Sequence, residues 1–197
     1  SYRLPPTLVP LLKKFIENYL NYEENLIPIP EQTEFDFYPC DVDWIQVNKN
    51  KTIEKIINEM MAIISEDKKS DRAFTDLTFI TDDNDTGLNI VEELKNKKIN
   101  VVHTYKHKEE KDYRKSRNRK LSFWKGDARV KATTIHSFKG WEGRFIIMHI
   151  SKAKTKKDLS IVYTALTRVK KHKNGSFLKV ICSEEKLESY GKHWFNK

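Results

Sequence analysis

The chain has 197 residues, enough for one ordinary domain with a sizeable core. Hydrophobic residues make up 38%, charged residues 33%, and mean hydropathy is −0.70, which is polar but compatible with folding because the apolar residues fall in periodic blocks. No apolar run approaches the roughly 18 residues of a membrane span, no signal-peptide pattern opens the chain, and two isolated cysteines, Cys40 and Cys182, exclude a disulfide framework. A reduced cytoplasmic protein is the expectation. Net charge is +9 with an isoelectric point near 9.3, and only eight of the 37 basic residues are arginine. Such an excess suits a polyanion partner or a solvated lysine face.

The chain opens Ser1-Tyr2-Arg3-Leu4-Pro5-Pro6 without a starting methionine, and so reads as a piece of a longer protein. Leu8, Leu11, Leu12, Phe15, Ile16, Tyr19 and Leu20 recur at helical spacing, with the prolines in the first turn. Residues 21–43 read as a polar connection, 44–47 as a short strand, and 51–65 as an amphipathic helix. A strand at 77–81, a helix at 86–97 and a strand at 100–103 form a βαβ unit, hence a parallel sheet. Residues 105–120 have no apolar period and carry eight lysines or arginines, which predicts an exposed basic loop. Strands follow at 130–135 and 144–150, then a helix at 158–171, a strand at 176–182 and a helix at 183–191 with Ser183 as N-cap.

The chain contains no G-x-x-x-x-G-K-[ST], so it cannot build a phosphate-cradling P-loop. Strand 77–81 followed by Asp82-Asp83 mimics a magnesium-binding strand end. Without a P-loop, a buried strand ending in a polar turn is the simpler reading. Three segments remain: Tyr2-Arg3; Thr134-Ile135-His136-Ser137-Phe138-Lys139-Gly140-Trp141-Glu142; and Val162-Tyr163-Thr164-Ala165-Leu166-Thr167-Arg168. A turn through Thr-x-His and Lys-Gly after a parallel strand stands where α/β sheets bind ligands. Its hydroxyls and backbone N–H groups can hold phosphate, and Glu142 can accept from a sugar hydroxyl. Arg168, after an apolar run, either snorkels from a packed helix or aims at an anion.

In order and sequence the three segments resemble motifs IV, V and VI of UvrD/Rep-type superfamily 1 helicases, whose patterns are Asn-Tyr-Arg-Ser, Thr-x-His-x-x-Lys-Gly-Leu-Glu and Tyr-Val-Ala-x-Thr-Arg-Ala. The resemblance spans nearly the whole chain. It implies a single RecA-like domain over 1–197, a three-layer α/β fold with a mostly parallel sheet and no P-loop of its own. That would be the C-terminal motor domain of an ATP-dependent DNA helicase or translocase, cytoplasmic and nucleoid-associated. ATP with Mg2+ would be bound chiefly by an N-terminal RecA-like domain of the same polypeptide.

By the same resemblance Tyr2 stacks on adenine, and Arg3 and Arg168 are arginine fingers. Lys139, Gly140 and Glu142 face the nucleotide, while Thr134 and His136 lie toward single-stranded or partly duplex DNA. Trp141, Gly143, Ser160, Thr164 and Val169 depart from the family pattern and mark a divergent branch. The accessory domain that many members insert between motifs IV and V is replaced by a basic segment, 104–129. Lys106, Lys108, Arg114, Lys115 and Arg117 are its candidate phosphate contacts, and Phe123 and Trp124 its candidate stacking groups, against the plainer reading of a solvated face with two core aromatics. A different reading of the whole is a non-enzymatic nucleic-acid-binding or protein-docking module on the same scaffold.

Overall fold

The computed structural model describes residues 4–20, 38–66, 76–107, 111–124 and 126–194. Six strands form one parallel sheet: β1 (Cys40–Gln46), β2 (Leu77–Thr81), β3 (Val101–His103), β4 (Val130–Thr134), β5 (Phe145–Ile150) and β6 (Ser176–Cys182). Their spatial order is β1-β6-β5-β2-β4-β3, with every neighbouring pair parallel. The central strand β5, Phe-Ile-Ile-Met-His-Ile, is buried at all six positions, as a strand covered on both faces must be.

Alternate side chains feed two cores. Leu77, Phe79, Phe145 and Ile147 pack against α2 (Thr52–Glu66) and α3 (Asn84–Asn96). Ile80, Ile146, Met148 and Leu178 pack on the other face with α1 (Val9–Phe15), α5 (Lys156–Leu166) and α6 (Glu188–Lys192). The period-2 alternation of β2 and β5 therefore places one apolar set in each layer. At the far end of the second core, Tyr190 sits edge-on to Phe15 and Trp44, and its hydroxyl donates to the Leu11 carbonyl at 2.9 Å. Burial, with the nearby Tyr19 phenol, pushes the Tyr190 phenol above its ordinary range.

The βαβ reading of 77–103 holds, and the strands expected at 77–81 and 176–182 have those bounds. Four local expectations are corrected. β1 starts at Cys40 rather than at 44, because residues 40–46 pair with β6 throughout. Its Asp41 and Asp43 alternate with Cys40 and Val42 along the outer strand. The basic segment is not all loop. α4 (Tyr113–Ser122) lies within it, capped by the Asp112 carboxylate, which accepts the N–H groups of Arg114 and Lys115 at 2.9 and 3.3 Å. Arginine and lysine propagate a helix well, so propensity and a cap suffice without an apolar stripe.

α5 ends at Leu166, so Arg168 stands beyond the helix rather than in it. Its start is a capping box in which Thr155 Oγ1 accepts from the Asp158 N–H at 3.1 Å and Asp158 Oδ2 accepts from the Thr155 N–H at 2.9 Å. Ser183 is not an N-cap: its hydroxyl donates to the Ile150 carbonyl at 3.3 Å, and the last helix starts at Glu188 after a short turn of 3-10 helix, Glu185–Leu187.

Candidate functional site

The segment from Thr134 to Arg144 joins β4 to β5, which lie on either side of β2. Both strands run the same way, so the connection must return from the carboxyl ends of the strands to their amino ends. It begins with Thr134, whose Oγ1 accepts the Ser137 N–H at 3.1 Å and donates to Ser137 Oγ at 3.0 Å. Ile135 and Phe138 are buried in the second core and pin the turn to the sheet face. Gly140 has φ +86°, a left-handed conformation that glycine adopts without strain and other residues rarely adopt. His136, Lys139 and Gly140 are exposed; Thr134, Trp141 and Glu142 are half-buried.

The return ends at Gly143, which forms an isolated parallel bridge with Val169. The Gly143 N–H donates to the Arg168 carbonyl at 3.0 Å, and its own carbonyl accepts from Lys170 at 2.8 Å. Glu142 and Arg168, 26 positions apart in sequence, are thereby set on neighbouring backbone at the amino-end edge of the sheet. Thr134 and His136 remain at the opposite, carboxyl-end edge. The ligand-edge expectation therefore holds only for the beginning of this loop. Of the described candidates, Glu142 and Arg168 lie at the amino ends of the strands and Thr134 and His136 at the carboxyl ends.

At the amino-end edge lies a cavity of about 290 Å³ lined by Glu142 with Asp76, Lys131, Arg144, Lys170 and His172 among others. Parallel register assembles it: Leu77 pairs with Phe145 and Thr78 with Lys131. Arg144 is fixed there by donating to the Gly175 and Asn174 carbonyls at 2.7 and 2.6 Å, with Asp76 at 3.6 Å. Lys131 Nζ donates to the Asp127 carbonyl at 2.8 Å. Burial lowers the Lys131 pKa against the pull of Asp127 and Asp76. His172 is likewise held below its ordinary value, first by burial and then by the Arg144 cation. Sequence reasoning did not single out Asp76, Lys131, Arg144 or His172, because only the register of four strands brings them together.

Arg168 does not line this cavity. Its Nε donates to the Thr164 carbonyl at 2.9 Å and a terminal nitrogen to Thr167 Oγ1 at 3.0 Å, so the guanidinium folds back over the end of α5. A cation there also meets the negative end of the helix dipole. Tyr2, Arg3 and Lys108 lie outside the described residues. Lys106, Arg114, Lys115 and Arg117 are exposed, the last three on α4. Phe123 is not a surface stacking group: it is buried and meets Trp141 edge-on at 5.6 Å. Trp124 is exposed.

The carboxyl-end edge behaves differently. Asp83 caps α3, accepting the Thr86 N–H and hydroxyl at 2.9 and 2.8 Å. Asp82 accepts the N–H groups of Ser151 and Lys152 at 3.0 and 2.9 Å, and burial nevertheless raises its pKa. These hydrogen bonds agree with the polar-turn reading of the pair. His149 is buried between Thr81 Oγ1 at 3.0 Å and Ser183 Oγ at 3.3 Å, and burial lowers its pKa to about 4.

Among the described residues no helix is long and apolar enough to cross a membrane. No family model matches the chain, and no curated protein matches it. Among solved structures, it is similar to the C-terminal domain of a possible DNA helicase from Lactobacillus plantarum WCFS1. The TM-score is 0.51 at 12% identity, covering 93% of this chain and 99% of that one. That likeness is one of fold: a six-stranded parallel sheet with helices on both faces, a RecA-like α/β architecture.

Proposed function

We propose that the chain is the second RecA-like motor domain of a UvrD/Rep-type superfamily 1 DNA helicase or translocase. The observation that carries this reading is the Gly143–Val169 bridge. It joins two segments chosen from sequence alone as motif V and motif VI, and sets Glu142 beside Arg168. The 134–144 loop runs from the carboxyl ends of the strands to their amino ends, so it could couple a strand contact at Thr134 and His136 to a nucleotide contact at Glu142. The helicase-domain likeness in fold adds to this.

The residues present suit the completion of a nucleotide site rather than its foundation. The chain has no P-loop, while Glu142 offers a sugar-hydroxyl acceptor and Arg168 a cation held, among the described residues, only by hydrogen bonds to Thr164 and Thr167. ATP with Mg2+ would be held by an N-terminal RecA-like domain, with Tyr2 against the base, Arg3 and Arg168 toward the phosphates, and Lys139 and Gly140 nearby. Phosphoryl transfer spreads charge over equatorial oxygens, and an arginine delivered across a closing cleft is worth about 10³–10⁵ in rate in GTPases. To serve so, Arg168 must exchange its two hydrogen bonds to α5 for phosphate oxygens. Hydrolysis then depends on closure, and Thr134 and His136, at the other end of the same loop, would report the strand.

The test is Arg168→Ala in the full-length protein. DNA-stimulated ATPase falls by about 10³ or more while nucleotide binding persists. Unchanged turnover would remove Arg168 from the site and favour a non-enzymatic module.

A further inference from the structure

α4 has no continuous apolar face. Its sequence, Tyr-Arg-Lys-Ser-Arg-Asn-Arg-Lys-Leu-Ser, has five basic residues and no acid. A helix of this kind gains little from burial against its own domain. It is anchored by the Asp112 cap at the start, by Phe123, sunk into the second core, at the finish, and by the half-buried Arg119 side where it packs beside β3. Along it, Tyr113, Arg117, Lys120 and Leu121 fall within about 100° of one another around the axis. Tyr113 is 77% exposed, Leu121 70% and Trp124, just past the helix, 57%. Scattered exposed apolar residues are ordinary; two on one short helix with five cations, and a third just past its end, are not.

Trp124 is also propped. A Cβ on Gly126 would run into its six-membered ring, so the indole lies against bare backbone and needs that glycine beneath it. One side of the ring is supported by the chain, and the residue as a whole is more than half open to solvent. A supported ring has little conformational freedom to lose on stacking.

We propose that α4 and Trp124 form a binding surface for single-stranded nucleic acid. Bases stack on the indole of Trp124, and on Tyr113 at the other end of the helix. Arg114, Arg117 and Lys120 neutralise the phosphates between them. A single strand, rather than a duplex, is the occupant because only unpaired bases present faces to a lone ring. The surface goes beyond the motor reading and does not depend on it, since neither Arg168 nor Glu142 takes part.

The test uses the 197-residue chain, 5′-fluorescein-labelled dT20 and a blunt 20-base-pair duplex, read by anisotropy across a salt series. Trp124→Ala weakens dT20 binding at least about five-fold, and Trp124→Phe restores most of it. Gly126→Val, which displaces the ring, reproduces the loss. Arg117→Gln with Lys120→Gln lowers the salt slope for dT20 by about 1.4, two contacts' worth for a single strand. Circular dichroism and melting of the Trp124 variants stay as in the parent, because the side chain is exposed. Parental affinity in Trp124→Ala and in Gly126→Val would overturn the proposal. So would equal affinity for the duplex with no dependence on Trp124.

Discussion

The two ends of the sheet are both polar, and they use polarity in opposite ways. At the carboxyl ends, Asp82, Asp83, His149 and Ser183 hydrogen-bond to backbone or to one another within the fold. At the amino ends, Lys131, Glu142, Arg144 and His172 border an open cavity. The first arrangement closes off a set of groups that water would otherwise satisfy; the second keeps charges near solvent and near one another. In an open parallel sheet the carboxyl edge is the usual ligand side. Here strand-end carboxylates serve as caps and splints, and the return loop carries Glu142 to the other edge.

The sharpest way to break this contrast is acid. His149 is neutral in the fold with a pKa of about 4, against an ordinary value of 6.5. Between these values the unfolded chain binds more protons, so stability is present above about pH 6.5 and is lost as pH falls through that window. The gap is worth roughly 3 kcal/mol. Asp82, whose pKa is raised by burial, acts in the opposite sense as it protonates, so the observed loss is smaller. Urea midpoints measured from pH 7 to 4.5 fall in the parent and fall less steeply in His149→Gln. Equal slopes would mean that His149 is charged in the fold.

Next in size is Asp82→Ala, which strips two backbone N–H groups of their acceptor and costs about 2–3 kcal/mol. A melting temperature within a degree of the parent would show that water replaces the carboxylate, and the carboxyl edge would then not be closed. Arg144→Met removes two carbonyl contacts beside solvent and costs about 1 kcal/mol. Smallest is Arg168→Ala in this chain alone, at about 0.5 kcal/mol, since its partners can turn to water. A loss above 2 kcal/mol would make Arg168 a structural cap of α5 and weaken the proposal that it swings to phosphate.

How far each feature could be read from sequence follows from how local its cause is. β2 and β6 were legible because Leu-Thr-Phe-Ile-Thr and Ser-Phe-Leu-Lys-Val-Ile-Cys carry their own signal of dense, two-sided burial. β1 was half-missed because Asp41 and Asp43 dilute an alternation that pairing with β6 completes. α4 was missed because it has no apolar face to announce it, only a cap and good propensity. The motif segments were legible as pieces. That the 134–144 loop runs from one sheet edge to the other was not, because it depends on β2 lying between β4 and β5. The Asp76, Lys131, Arg144 and His172 cluster was invisible for the same reason.

The described sheet has two rims, and each is blunted. β3 is only three residues long, and β1 carries Asp41 and Asp43 amid its pairing positions. A parallel sheet that ends on a long bare strand invites another chain to add itself by backbone hydrogen bonds. Brevity on one side and carboxylates on the other discourage that addition. Asp41→Val with Asp43→Val would remove the charge from the longer rim and turn this basic, well-solvated chain toward self-association through its β1 edge.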